Sequence, residues 1–316
     1  MSRMAQTPAR LCRGESPIRY AMTALALRLA AFIAVPCVAF LIVASGLGQV
    51  LPGEGMIAYA SASEGNSKIY LLDVHTGWRF NLTPAGATDA YPSWSPDGNR
   101  ILFTSWRDGD PEMYTMNLDG SQPQRLTHSQ ADELWPVWSP GGRYIAFTST
   151  TLMLFNVYVI ESNSSQVRRL TQNNNVNYSG GWSPDSQWIG FASDLDGSFD
   201  IYAIDVEGNN LRRLTATTAN EYNPAWSPDG RFMAFASDAD GDLEIYVMDA
   251  DGSNVRQLTE NNTMDNSPAW SPDGRRIAFV SNRDRNPEIY LMDADGTHVR
   301  RLTNSILQDN SPAWRP

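Results

Sequence analysis

Six columns of residues recur every 44 positions, and this period constrains the fold more than any other feature. Trp-Ser-Pro begins at Trp94, Trp138, Trp182, Trp226 and Trp270, and Trp314 continues as Trp-Arg-Pro. Leu-Thr pairs begin at Leu82, Leu126, Leu170, Leu214, Leu258 and Leu302. An apolar trio recurs from Ile57-Ala-Tyr59 to Ile277-Ala-Phe279, and a tyrosine stands at Tyr70, Tyr114, Tyr158, Tyr202, Tyr246 and Tyr290. Self-similarity at a fixed period marks an array of one supersecondary unit.

Each unit reads as four short strands. In residues 224–259, Pro224-Ala-Trp226 is the first, and Ser227-Pro-Asp-Gly230 is a tight turn in which Pro fixes φ and Gly accepts positive φ. Met233–Ser237 is the second strand, and Glu244–Asp249 is the third, with period-two alternation. Asp251-Gly252 turns the chain into a fourth strand at Val255–Thr259. Four strands in about 40–45 residues match a propeller blade.

The two ends of the array complement each other. Residues 56–83 supply strands two to four without a first strand, and residues 311–315 supply a first strand alone. Joined, they make one blade beside five complete ones. The expected fold is therefore all-β: a six-bladed propeller over 56–316, closed by its C-terminal strand, which removes the open ends.

The motif Pro-Ala-Trp-Ser-Pro-Asp-Gly, followed by Ile-Ala-Phe-x-Ser, Ile-Tyr-x-Met-Asp and Arg-x-Leu-Thr, resembles the TolB-type propeller repeat over residues 56–316. The resemblance implies a six-bladed propeller outside the cytoplasmic membrane. TolB itself carries an N-terminal α/β domain, whereas an apolar segment and a short linker precede the repeats here. Similar propellers also cap some serine peptidases, but this chain has no Gly-x-Ser-x-Gly.

Charge divides the chain into unlike parts. Residues 1–50 hold five Arg and one Glu, a net +4; the remainder holds 19 basic and 34 acidic residues, a net −15. The basic stretch 1–28 precedes an uncharged run at 29–47, which as a helix would span roughly 28 Å, close to a bilayer core. This pattern predicts a signal anchor with its N-terminus inside and the propeller on the periplasmic or extracellular side. A cleaved signal peptide, with small residues at Val43–Gly46, is the alternative and would give a secreted protein. Residues 48–55 are a linker. The acidic balance disfavours nucleic acid, and a closed ring leads us to expect a monomer.

Recognised catalytic motifs are missing. The three His, at 75, 128 and 298, lie at different places in their blades, the repeats contain no Cys, and no phosphate-binding glycine pattern occurs. Five residues before each Trp stand Asp89, Glu133, Asn177, Glu221, Asp265 and Asp309. With the first strand innermost, this column is expected to ring one channel mouth. It would either receive a basic peptide or hold a Ca²⁺-like cation on Asp89, Glu133, Glu221, Asp265 and Asp309; or each acid caps its own loop. Tyr91, Trp135, Tyr178 and Tyr222 follow on the same strands without repeating in every blade. Aromatics that the fold does not require are expected to meet a partner. A second acidic set pairs Asp108 with Glu112, Asp196 with Asp200, Asp240 with Glu244 and Asp284 with Glu288, read as solvated turn chemistry. Arg168-Arg169, Arg212-Arg213 and Arg300-Arg301 read as protection of outer edges.

The expected function is a non-enzymatic, membrane-tethered module that binds a protein or peptide of the cell envelope. The alternatives are a carbohydrate-binding or lyase-like propeller and an accessory propeller of a peptidase.

Overall fold

The computed structural model describes residues 55–63, 66–83, 86–150 and 154–316. The basic stretch 1–28, the apolar run 29–47 and linker residues 48–54 lie outside the described residues.

The described residues form six four-stranded antiparallel sheets. Blade 1 joins the two ends of the chain: β24 (Gln308–Trp314), β1 (Met56–Ser63), β2 (Asn66–Asp73) and β3 (Arg79–Asn81). Blade 2 comprises β4 (Asp89–Trp94), β5 (Arg100–Ser105), β6 (Glu112–Asn117) and β7 (Gln124–Arg125). Blades 3 to 6 repeat this order as β8–β11, β12–β15, β16–β19 and β20–β23 over residues 133–301. The innermost strands are β4, β8 (Glu133–Trp138), β12 (Asn177–Trp182), β16 (Glu221–Trp226), β20 (Asp265–Trp270) and β24, and each packs on the next around a closed ring. β24 pairs with β1 through Ile57 and Trp314, so the expected closure holds, with a strand that begins at Gln308.

The repeat columns have structural causes. Phe or Tyr of the second strands, from Tyr59 to Phe279, are almost fully buried. The Thr of every Leu-Thr pair accepts the N–H of a third-strand residue at 2.8–3.0 Å, in all six blades. The Trp of four blades donates its indole N–H to the preceding blade's inner strand: Trp94 to Ala313, Trp182 to Val137, Trp270 to Ala225 and Trp314 to Ala269. At the 3–4 hairpin, Gly252 has φ of 90°, and a Cβ there would lie 2.3 Å from the Leu214 carbonyl of the preceding blade. Glycine alone permits both the turn and this approach.

The inner strands are longer than expected and bulged. β16 begins at Glu221, three residues before Pro224. In β4 the register jumps from Ala90↔Thr104 to Ser93↔Leu102, so Tyr91 and Pro92 oppose one residue. β8, β16, β20 and β24 carry the same extra residue, and in β12 it falls on Gly180-Gly181. The first bulge residue is left-handed in five blades: Tyr91, Trp135, Asn223, Ser267 and Ser311 have φ of 50–55°. Such bulges re-aim a side chain.

Candidate functional site at the channel mouth

A cavity of about 680 Å³ runs between the inner strands. The five left-handed residues and Ser179 all line it. Proline and alanine supply much of the remaining wall, with Trp106 and the amides of Asn266 and Asn310. None of its lining residues is charged.

This corrects the expected acidic ring. Asp89, Glu133, Asn177, Glu221, Asp265 and Asp309 are at most 4% exposed, and none lines the cavity. The bulge shifts the pleat between these residues and the Trp, so they point between blades rather than into the channel. Each is engaged there. Asp89 receives Arg107 at 3.1 Å, and Asp265 receives Arg283 at 2.7 Å. Ser129 donates to Glu133 at 2.5 Å, Thr215 to Glu221 at 2.9 Å, and Ser61 to Asp309 at 2.5 Å. Asn177 donates to the loop residues Asn173 and Asn175 and accepts from Ser193. Burial pushes the Glu133 carboxyl up to about 7 and that of Asp309 up to about 6; it also raises Glu221. Among the described residues, no three of His, Cys, Asp or Glu gather as a metal site. The proposed Ca²⁺ ligands therefore do not converge.

The second acidic set is also more ordered than solvated turns. Arg125, Arg213 and Arg301 each bridge a loop Asp and a buried third-strand acid: Asp108 and Glu112, Asp196 and Asp200, and Asp284 and Glu288. Tyr114, Tyr202 and Tyr290 donate to the same loop Asp residues. In blade 5 the Arg is replaced by Gln257, which bonds Asp240 at 2.5 Å. The second Arg of the 212–213 and 300–301 pairs is thus an internal clamp rather than edge protection alone. Arg168 reaches Glu207 of the next blade, and Arg212 lies over Trp188 at 4.0 Å.

The aromatic expectation gains a precise form. Tyr91 and Trp135 have centroids 5.3 Å apart, and Trp135 meets Tyr178 edge-on at 5.2 Å. Tyr178 stacks on Phe199 at 5.5 Å, and Phe199 contacts Tyr222 at 5.1 Å. Phe155 adds a sixth ring against Tyr178 at 5.6 Å. All six are half-buried. Tyr91 and Trp135 reach the cavity, whereas Tyr178 and Tyr222, one position earlier in their strands, do not. The rings form one arc over blades 2 to 5, at the end of the ring where the inner and third strands begin. Burial raises the hydroxyl pKa of Tyr91, Tyr178 and Tyr222, so these faces stay uncharged. Sequence reasoning missed Phe155 and Phe199. They occupy one column just before or at the start of the third strand, whose other members are Ser67, Pro111, Leu243 and Pro287.

Known structures share this architecture. The putative TolB from Agrobacterium tumefaciens is 26% identical, with a TM-score of 0.72 over 82% of this chain and 94% of that one. TolB from Acinetobacter baumannii is 22% identical, with a TM-score of 0.75 over 87% and 71%. An oligogalacturonate lyase in complex with manganese shares the fold at 15% identity, with a TM-score of 0.54 over 79% and 74%. No curated protein matches the chain. The family model described as the TolB beta propeller domain matches residues 49–155, 130–224 and 216–316. With these matches spanning most of its length and the six-bladed ring on which they fall, the chain belongs to the TolB beta propeller domain family.

Proposed function

We propose that this propeller is a non-enzymatic binding module of the cell envelope, held at the membrane by residues 29–47, which grips a protein partner at the aromatic mouth of its channel. The observation that carries this reading is the arc itself. Six half-buried rings from the inner strands and the loops beside them touch in one line, although the fold repeats none of them in every blade. Clustered aromatics beside an uncharged cavity favour association, since large rings bury much area at small entropic cost. Topology supports the same use. The chain enters β1 at Met56, beside Asp73 and near Trp314, at the end of the ring opposite the arc.

The buried column acids serve the seams between blades, which gives them a structural role and leaves the arc as the binding site of this reading. The test is capture from envelope extract by the propeller and by a Trp135→Ala, Tyr178→Ala variant. Loss of a specific partner supports the reading, and equal capture with the native fold retained overturns it.

One observation favours a second reading. Across the ring from Tyr91 and Trp135 the cavity is lined by Asn223 and Asn266, and beside Tyr91 by Asn310. Rings facing amides across a neutral cavity also suit a saccharide. Glycan-array binding that depends on Trp135 and Asn266, with no protein partner captured, would select it.

A further inference from the structure

Five of the six seams between neighbouring blades bring together two buried residues, one at the start of a third strand and one at the start of the next inner strand; at the sixth, Lys68 takes the first place beside Asp89. At the seam between blades 3 and 4 these are Asn156 and Asn177, 3.5 Å apart. At four other seams both are acids: Glu112 with Glu133, Asp200 with Glu221, Glu244 with Asp265, and Glu288 with Asp309. Facing acids at the centre of a packed seam require explanation, because like charges repel strongly when buried.

The seam between blades 2 and 3 shows how this is resolved. Glu112 is fully buried and Glu133 is 4% exposed. One oxygen of each is provided for: Arg125 bonds Glu112 Oε1, and Ser129 donates to Glu133 Oε1. The two remaining oxygens, Glu112 Oε2 and Glu133 Oε2, are buried and receive no donor from any other group. At the neighbouring seam the side chains in the same two positions, Asn177 and Asn156, approach to 3.5 Å, which is the closeness this pairing of columns provides. Two carboxylates have no hydrogen to share; a carboxyl and a carboxylate have one.

We propose that Glu112 and Glu133 hold a single proton between their orphaned Oε2 atoms at neutral pH, making this seam a proton-bridged joint that loosens as the proton is lost.

The surroundings agree. Arg125 is also bonded to Asp108, so its charge is divided between Asp108 and Glu112 and does not balance a second seam carboxylate. Ser149 pairs with Glu133 across the strands, Ser129 donates to its Oε1, and the neutral Thr127 hydroxyl lies beside it. Tyr114 is bonded to Asp108, and the connecting loop carries exposed His128 and half-buried Asp132. The seam between blades 5 and 6 has the same character. Asn261 donates to both Glu244 and Asp265, while Asp265 Oδ1 has no partner.

The sign of the pH effect follows. A carboxyl that binds its proton more tightly when folded stabilises the fold at low pH and loses that stability as pH rises through its folded value. For Glu133 the window runs from its ordinary 4.5 to about 7.

The test is infrared titration of the carboxylic-acid carbonyl band, distinct from carboxylate bands, on the propeller and on Glu133→Gln. The expected result is a protonated-acid band in the native protein at pH 7 that bleaches on alkalinisation and is weaker in the variant. In Glu133→Gln the new side-chain amide can donate a hydrogen to Glu112, so the variant is expected to fold, with a flatter dependence of melting temperature on pH between about 5 and 8. Absence of the band in the native protein at pH 7 overturns the proposal without recourse to any variant. So does a Glu133→Gln spectrum identical to that of the native protein.

Discussion

Trp314 reaches across the seam to donate its indole N–H to the Ala269 carbonyl at 3.0 Å, the contact that Trp94 makes to Ala313 at the neighbouring seam. The last Trp of the chain is therefore an ordinary member of its column, and the ring is closed by repetition rather than by a special device. Deleting residues 305–316 removes β24 and exposes both β1 and the blade 6 seam. We expect that truncation to abolish cooperative unfolding by calorimetry. Trp314→Ala alone is expected to cost on the order of 3–5 kcal/mol.

Partner capture is expected to depend on the arc and not on the channel as a whole. Trp135→Ala removes a ring that touches both Tyr91 and Tyr178. A loss of about tenfold or more in affinity is expected, as for a central aromatic anchor. Ser267→Ala, on the opposite wall, is expected to leave affinity within about twofold. Titration calorimetry with the captured partner measures both.

Thr83 illustrates what the Leu-Thr column does, since it accepts the Ile69 N–H at 3.0 Å. Thr83→Val keeps the shape and leaves that buried N–H unpaired. The expected cost is about 1–3 kcal/mol, read from chemical denaturation.

The closure seam should respond to pH as well. Burial lifts Asp309 from 3.8 to about 6, so the folded ring binds this proton more tightly than the unfolded chain. Its contribution is present below about pH 4 and is lost as pH rises to 6. Asp309→Asn should flatten that part of the melting-temperature profile; an unchanged profile would contradict the assignment.

Much of the fold was legible because Trp, Leu-Thr and Tyr each carry a separate bond or packing duty in every blade, which imprints a 44-residue period. The third strand, Glu244–Asp249, was read to the residue. The orientation of the acids was not. Strict alternation along the inner strand places Asp89 on the channel side, but the bulge at Tyr91-Pro92 inserts a residue and turns it into the seam. The left-handed position itself is no signal, since Tyr, Trp, Asn and Ser all occupy it, but the Pro that follows it in those five blades is one, because proline inside a strand marks an edge or a bulge. The arc was half legible: Tyr91, Trp135, Tyr178 and Tyr222 stood out as exceptions to the repeat. Phe155 and Phe199 sat in a loop column whose apolar members looked like ordinary packing.

The left-handed bulge also frees one letter in each of five blades. Its side chain lines the cavity, so its identity can change while the scaffold is retained. Reading round blades 2, 3, 5, 6 and 1, the positions spell Tyr, Trp, Asn, Ser, Ser. A near-symmetric scaffold thus carries an asymmetric word on its inner wall, and selection can rewrite specificity there one blade at a time.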